Sequence, residues 1–406
     1  KIRAFTRLFT TGVKRKNVLN DFEFCPTLFS QNMMKLVSQK PSTPVEEVRS
    51  INNATLEKLK VTASFDKDPF NLIEDDLSLI NDIIFDKIIN TKYPLLQEVA
   101  EYNLKLKGKN FRSCIIMLLS RALYSNHINS QNIKFEETEY YYRSALLAAC
   151  VEICHNATLL QDDIIDKAET RRSKAAAYKV FGESRSLFAS NFLISRASQM
   201  LSTLEKPYLS QIFSTMTYNL VFGELIQARS YEDDDTLKES IESYISKTYY
   251  KTASLMSLAC RGVGIIHQFD ESKQRSAFDF GAHFGIAFQV ADDILDFTQS
   301  SEELGKPAFN DLASGLVTAP TIFAYAESES EQLEEMIKRK FKEVGDIEKT
   351  LEIINSTAGI DSSERLALSH VENSIGALST LDEVDVDSDA YKALIKLTLK
   401  VKTRKF

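Results

Sequence analysis

The sequence contains little proline and glycine, and this scarcity bears on its fold. Eight prolines and 13 glycines occur among 406 residues, and no proline lies between Pro94 and Pro207 or between Pro207 and Pro307. Because proline breaks a helix and glycine weakens one, such long uninterrupted stretches favour a protein made almost entirely of helices. A hydrophobic content of 44% can fill a sizeable core. We therefore predict an all-α fold.

Three further shortages limit the function. The five cysteines include no Cys-x-x-Cys pair, and four lie in apolar, helical settings, which indicates buried free thiols and a reducing compartment. No apolar run reaches about 18 residues, the length needed to span a bilayer. Acidic residues outnumber basic ones, with a net charge of −8 and a pI near 5.4. This balance argues against nucleic acid as a partner.

The first 67 residues differ from the rest of the chain. Residues 1–16 carry no acid, and apolar residues recur there at helical spacing among basic residues and threonines. This pattern is typical of an organelle-directed presequence, with a basic solvated terminus as the alternative. Asp68 followed by Pro69 then suggests a helix cap and a first helical position. We predict an N-terminal extension over 1–67 and one helical domain over 68–406.

A duplicated acidic motif carries the clearest chemistry. Asp-Asp-x-x-Asp occurs twice, each time inside an apolar run that indicates a helix. The second run belongs to a predicted helix over about 271–298, which follows another predicted over about 237–263. Three carboxylates this close repel one another and are costly to bury unless a hard cation accompanies them. One copy would equally suit a solvated surface, but two predict facing helices with Mg²⁺ and a phosphorylated substrate between them. The six residues are Asp162, Asp163, Asp166, Asp292, Asp293 and Asp296.

Cationic and polar residues accompany both motifs. They follow each aspartate set, bracket one predicted helix start or lie in helices that we expect to be buried. Helix N-termini and guanidinium groups both favour phosphate oxygens. His155 lies two helical turns before Asp162 on nearly the same face, which favours a substrate role over that of a packed histidine. The others are Lys109, Arg112, Arg171, Arg172, Lys251, Thr252, Gln289 and Lys306.

In this combination and order the motifs resemble those of the trans-isoprenyl diphosphate synthases. These all-helical prenyltransferases elongate an allylic diphosphate with isopentenyl diphosphate, and the similarity covers roughly residues 70–400. The resemblance implies a single large helical bundle around a central cavity, the isoprenoid synthase fold. One stretch looks most like the long-chain members that make ubiquinone side chains: Gly305-Lys306-Pro307, Asp311-Leu312, Gly315 and Thr318-Ala319-Pro320.

The resemblance also implies roles for the candidate residues. The six aspartates would hold Mg²⁺ on the allylic diphosphate, which would be farnesyl or geranylgeranyl diphosphate. The cations contacting that diphosphate would be Lys251, Lys306 and Arg171. Thr252 and Gln289 are candidates for stabilising the carbocation that forms when the diphosphate leaves. The residues binding isopentenyl diphosphate would be Lys109, Arg112, His155 and Arg172.

Product length should depend on the side chains below Asp162. Family members that stop early have a bulky aromatic residue five positions before the first aspartate, where this chain has Ala157. Ile153 and Cys154 lie one turn further away. Side chains of this size leave room for an apolar chain, so we predict a long polyprenyl product.

Several positions depart from the family pattern. Ser113 replaces the proline that normally follows Lys-x-x-Arg, Ser173 replaces a glycine after the arginine pair, and Ser190-Asn191 replaces Gly-Asp. A lysine expected near Leu316 is also missing. None of these departures removes a metal ligand, but together they suggest altered loops and leave room for impaired activity.

Three functions are therefore compared. The first is a long-chain polyprenyl diphosphate synthase serving ubiquinone biosynthesis. The second is a non-catalytic, synthase-like subunit of a hetero-oligomeric or larger mitochondrial assembly. The third, a terpene cyclase of the same fold, would normally carry an Asn/Ser/Glu motif in place of the second aspartate set. We expect a mitochondrial protein on the matrix side, a homodimer or a heterodimer with a related subunit, and peripheral membrane association for product release.

Overall fold

The computed structural model describes residues 65–106, 108, 110–127, 133–172, 174–230, 241–300, 308–381 and 384–403. Its regular structure is helical apart from one short ribbon, in which β1 (Thr170–Arg171) pairs antiparallel with β2 (Lys174–Ala175). The all-α prediction is confirmed. The α-helices are α1 Glu74–Asp82, α2 Pro94–Leu104, α3 Phe111–His127, α4 Glu139–Ile165, α5 Ala177–Phe181, α6 Glu183–Ser202, α7 Pro207–Ser230, α8 Ile241–Thr248, α9 Ser254–Ile266, α10 Glu271–Thr298, α11 Asn310–Ala313, α12 Ala319–Ser328, α13 Glu331–Lys338, α14 Asp346–Ser356, α15 Gly359–Ser379 and α16 Asp389–Thr403.

In the part of the chain that the structure describes, helical structure starts a few residues after Asp68. The Asp68 carboxylate accepts the Phe70 N–H at 2.8 Å, as a helix cap does. Among the described residues, the first helical turn, Asn71–Ile73, is a 3₁₀ helix, and α-helical geometry follows from Glu74. The predicted presequence lies outside the described residues, and the division of the chain at residue 68 stays a prediction.

The two helices that carry the aspartate motifs lie in the middle of the bundle. Helix α4 is buried on all sides from Ser144 to Cys154, as expected of a helix surrounded by others. It packs against α3, α6 and α9, while α10 packs against α9 and α15. Because each aspartate set lies near the C-terminal end of its helix, this packing determines where the carboxylates lie.

A smaller apolar cluster lies beside the last turns of α10. It joins α11, α12, α13 and α14, and Phe297 of α10 packs against it. The cysteines within the described residues are free and buried, as predicted. Among the described helices, none is both long and apolar enough to cross a bilayer.

A buried histidine pair joins α10 to α15. The Nδ1 atoms of His283 and His370 lie 2.8 Å apart. Burial lowers the pKa of both imidazoles below the usual 6.5, and for His283 the positive field of His370 adds to this effect. The folded protein therefore keeps both rings neutral at pH values where the unfolded chain takes up protons.

Stability should fall as the pH drops below about 6.5, because the unfolded state then binds protons that the folded state cannot. Each histidine would contribute about 1.4 kcal/mol per pH unit to this loss. The measurement is urea unfolding between pH 7.5 and 4.5 on the wild type and on a His283→Asn/His370→Asn double variant. Carboxylates titrate in both proteins, so the difference between their slopes of unfolding free energy against pH gives the contribution of the two histidines. Equal slopes would contradict the prediction.

Candidate functional site

The first aspartate set lies at the C-terminal end of helix α4. Asp162 and Asp163 lie in its last turn and Asp166 caps it. Arg171, held on β1, donates to Asp163 Oδ1 through Nε at 2.9 Å and through a second guanidinium nitrogen. Asp163 Oδ2 is buried and has no hydrogen-bond partner among the described residues. A buried carboxylate oxygen in this state is costly unless a cation or donor reaches it.

The positive charge around Asp162 is too small to keep the pKa of its carboxyl in the usual range. Burial raises the pKa of its carboxyl to about 7, and the field of Glu224 adds to this increase. Lys251 and Arg171 oppose the shift, whereas Asp166 reinforces it. The carboxylates at this end of α4 therefore favour an additional cation.

The second aspartate set lies in the last turns of α10. Asp293 is buried and accepts hydrogen bonds from Tyr244 Oη at 2.5 Å and from Gln289 Nε2 at 2.8 Å. Burial and then the charge of Asp311 raise the pKa of Asp293 to about 7, although both hydrogen bonds oppose this shift. Asp296 accepts the backbone N–H of Asp311 at 3.0 Å.

A π-helical segment, Tyr249–Ala253, separates α8 from α9 and connects the two acidic regions. Lys251 Nζ donates to Gln227 Oε1 at 2.6 Å and pairs with Glu224 Oε1 at 2.9 Å, on the side of Asp162. Thr252 Oγ1 donates to Gln289 Oε1 at 2.9 Å, and Gln289 in turn donates to Asp293. The segment therefore presents a cation to one aspartate set and a hydroxyl to the other.

Two glycines allow neighbouring helices to reach this segment. A Cβ on Gly223 of α7 would lie 2.9 Å from the Lys251 backbone nitrogen, and one on Gly285 of α10 would lie 2.5 Å from Ala253 Cα. Real Cβ atoms do not come this close to backbone atoms, so larger residues would push the helices apart. The Gly-Glu-x-x-Gln stretch of α7 thus provides close packing through Gly223 and polar support for Lys251.

A second cationic region lies beside α4, around Arg112, Arg172 and His155. Burial lowers the pKa of both guanidinium groups, each of which also lies in the field of Glu152. Burial and the three neighbouring arginines lower the pKa of His155 well below 6.5, so its ring is neutral. Arg112 is partly buried and Arg172 lies nearer the surface, and two guanidinium groups whose fields meet form a site that favours an anion.

Arg172 has a strained backbone, with φ +50° in the turn of the β ribbon. Its guanidinium donates to the Leu106 carbonyl and lies against Gly108, where a Cβ would come within 2.9 Å of its nitrogens. Glycine therefore leaves room for the guanidinium at this point. Lys109 and Lys306, the other predicted phosphate-binding residues, lie outside the described residues.

The chain-length candidates are packed rather than open to the interior. Ile153, Cys154 and Ala157 have no exposed surface, and the Ala157 carbonyl accepts the hydroxyl of Ser190 on α6 at 2.8 Å. At 100° per residue, Ala157 lies about 140° round α4 from Asp162, and Thr158 lies about 40° round it. Thr158 is partly exposed, so this residue, which the sequence analysis did not single out, lies more directly below Asp162.

The residues present fit a hard divalent cation. Among the described residues, no group of three or more acidic, histidine or cysteine side chains converges on one point. Mg²⁺ commonly binds through only one or two carboxylates and completes its shell with water and substrate phosphate. The partnerless Asp163 oxygen and the raised pKa values of Asp162 and Asp293 agree with this mode of binding.

The fold and site together define a helical enzyme of the isoprenoid synthase class, with two aspartate-rich helix ends and a neighbouring cationic region. The polyprenyl synthetase family model matches residues 93–354. The chain belongs to this family, which confirms the resemblance found in the sequence. The match covers the first aspartate set, the π-helical segment and the second aspartate set.

Relatives and solved structures agree with this assignment. The chain is 35% identical over 349 residues to the decaprenyl-diphosphate synthase of Dictyostelium discoideum, covering 82% of this chain and 71% of that protein. It is 32% identical over 391 residues to a probable mitochondrial hexaprenyl pyrophosphate synthase of Neurospora crassa, covering 87% and 86%. A Caulobacter crescentus polyprenyl synthase, crystallised with calcium and isoprenyl diphosphate, superposes with a TM-score of 0.72 at 27% identity, covering 83% of this chain and 97% of that one.

Proposed function

We propose that the protein is a Mg²⁺-dependent prenyltransferase. It condenses isopentenyl diphosphate with an allylic diphosphate, farnesyl or geranylgeranyl, to make a long-chain all-trans polyprenyl diphosphate for ubiquinone. The observation that carries this proposal is the link between the two aspartate sets: Lys251 lies beside Asp162, and Thr252 reaches Asp293 through Gln289. The long-chain synthases among the relatives support the product class.

In the proposed mechanism, the allylic diphosphate is bound both by metal that the aspartates would hold and by cationic side chains. The metal would be held by Asp162, Asp163, Asp166, Asp292, Asp293 and Asp296. When bound, Mg²⁺ supplies positive charge that compensates the charge developing on the leaving diphosphate. Lys251 and Arg171 reach the same region, and Lys306 would join them.

The other residues then act on the organic part of the reaction. Thr252 and Gln289 direct oxygen atoms toward the allylic carbon after its C–O bond breaks. Lys109, Arg112, His155 and Arg172 hold isopentenyl diphosphate so that its double bond forms the new C–C bond. The proton lost from the resulting cation goes to the departed diphosphate. The protein contributes mainly positioning and the exclusion of water.

The direct test is incubation of the purified chain with radiolabelled isopentenyl diphosphate, farnesyl diphosphate and Mg²⁺, followed by chromatography of the dephosphorylated products. We expect extension to long-chain polyprenols by this chain alone. Extension only after a related subunit is added would favour the heterodimer and a supporting role for this chain, and no extension under any condition would overturn the proposed activity.

Product length should respond to substitutions below Asp162. Ala157→Phe is expected to shorten the product, and Thr158→Phe to shorten it more, because Thr158 lies closer to the direction of Asp162. Filling the packed site at Ala157 should also cost about 1–3 kcal/mol of stability. Product chromatography measures the lengths and thermal unfolding controls for folding. Unchanged lengths in both folded variants would contradict the proposed position of the product chain.

We also propose that the protein works as a homodimer, or a heterodimer with a related subunit, on the matrix side of mitochondria. Two neighbouring helices leave large apolar residues uncovered, with Phe188 of α6 62% exposed and Tyr218 of α7 64% exposed. The relatives include a protein named as mitochondrial, and the basic pattern of residues 1–16 agrees with import. Product release would involve peripheral contact with the membrane. Light scattering after gel filtration measures the oligomeric state.

A further inference from the structure

Ser113, one of the departures from the family pattern, contacts a buried acid next to the proposed isopentenyl diphosphate site. It lies in the first turn of α3, directly after Arg112. Its backbone N–H donates to Glu152 Oε1 at 3.2 Å, and its hydroxyl donates to the same oxygen at 3.0 Å. The proline of the usual pattern has neither donor. This chain therefore holds the Glu152 carboxylate with two hydrogen bonds that the pattern would not supply.

Glu152 is a buried acid whose charge acts on both arginines of the cationic region. It lies on α4 one turn before His155, and only 8% of it is exposed. Its field favours the charged forms of both Arg112 and Arg172. Even so, among the described residues no carboxylate forms an ion pair with Arg112. The acid therefore compensates the two guanidinium groups through space without occupying the N–H donors of Arg112.

Without its hydrogen bonds to Ser113, the Glu152 carboxylate would compete with isopentenyl diphosphate for Arg112. Arginine binds carboxylates and phosphates with the same two-pronged hydrogen bonding. Glu152 is close enough to act on Arg112, and the two Ser113 donors are what direct one of its oxygens toward the start of α3. Without these donors, the carboxylate is expected to turn toward the guanidinium and take up donors that a diphosphate would use.

We propose that Ser113 and Glu152 are positioning residues of the isopentenyl diphosphate site: Ser113 holds the Glu152 carboxylate away from Arg112, so that the guanidinium stays available to the diphosphate. This inference rests on the proposed function. It predicts a specific relation between the two residues, because removing the Ser113 donors is harmful only while residue 152 carries a charge.

The test is a double-mutant cycle read by direct binding, which needs no turnover. Calorimetry measures the affinity of the full chain for isopentenyl diphosphate. We expect about 10-fold weaker binding in Ser113→Ala and a larger loss in Ser113→Pro, which lacks both donors. Glu152→Gln should change the affinity less than either Ser113 variant does, and Ser113→Pro/Glu152→Gln should match Glu152→Gln rather than Ser113→Pro.

Ser120→Ala is the matched control. Its hydroxyl is also buried on α3, but it is bonded to Ser144 and His267 rather than to Glu152. It should lower thermal stability and leave the affinity for isopentenyl diphosphate unchanged. In steady-state assays, the Ser113 variants should raise the KM for isopentenyl diphosphate and leave the KM for the allylic substrate unchanged.

Two results would overturn the inference. One is unchanged affinity in both Ser113 variants, and the other is an additive loss in the double variant, which would make Glu152 a purely structural acid. The cycle also separates this inference from the proposed function. A chain that shows the expected binding pattern but never elongates a substrate would refute the proposed activity alone. An active chain whose double-mutant cycle shows no coupling between residues 113 and 152 would refute the inference alone.

Discussion

Replacing Asp162 by alanine is expected to lower kcat for chain elongation by about 10³-fold, which corresponds to about 4 kcal/mol of activation free energy. Asp162 lies where Glu224, Asp166, Lys251 and Arg171 all act on its carboxyl. Without it, the metal loses a ligand and the leaving diphosphate loses part of the charge compensation that allows its bond to break. The measurement is steady-state incorporation of radiolabelled isopentenyl diphosphate at several Mg²⁺ concentrations.

Two variants make this result specific. Asp162→Asn keeps the shape of the side chain and removes its charge, so a similar loss would identify the charge as the essential property. Asp86→Asn changes an exposed aspartate outside the site and should leave kcat unaltered. A loss of less than 10-fold in Asp162→Ala at saturating Mg²⁺ would refute the role of this carboxylate.

The sequence was sufficient to predict the long helices and both acidic motifs. The prediction of a helix over 271–298 agrees with α10 at both ends, because an N-cap aspartate and an unbroken apolar pattern are local signals. The predicted helix 237–263 is instead divided by the π-helical segment between α8 and α9. Gly223 and Gly285 of other helices pack closely against that segment, and local periodicity in the sequence carries no record of such contacts.

Partners across the fold were equally hard to predict. Tyr244 is separated from Asp293 by 49 positions, and nothing near Tyr244 in the sequence indicates that its hydroxyl bonds a carboxylate. The sequence leaves the direction of Ala157 open for a different reason. Counting positions before an aspartate gives the level of a residue along the helix axis, whereas the packing of α6 against α4 determines which side of the helix faces the interior. The role of Ala157 in product length stays a prediction.

Arg171 shows how the structure refines a predicted role. The sequence resemblance assigns Arg171 to the allylic diphosphate, and in the structure its guanidinium donates to Asp163. Were Asp163 to hold a divalent cation, which would supply this positive charge, Arg171 could donate to phosphate oxygens instead. The same residue would therefore balance the acidic helix end before substrate arrives and bind the substrate afterwards.

Lys251→Ala is expected to lower kcat/KM for the allylic diphosphate by about 10²-fold. Lys251 is the cation beside Asp162, and its removal also leaves Glu224 without its ion pair. The uncompensated Glu224 would then repel the incoming diphosphate as well as Asp162. Two separate effects therefore add to the loss, and only one of them involves contact with the substrate.

A second substitution separates these two effects. Adding Glu224→Gln to Lys251→Ala should recover about 10-fold of the lost kcat/KM, because it removes the unpaired charge without restoring the cation. Lys349→Ala, which changes an exposed lysine on α14, serves as the control and should match the wild type. Assays that vary each substrate in turn would locate the loss. If Lys251→Ala raised the KM for isopentenyl diphosphate alone, Lys251 would belong to the other diphosphate site and the proposed division of the two sites would be wrong.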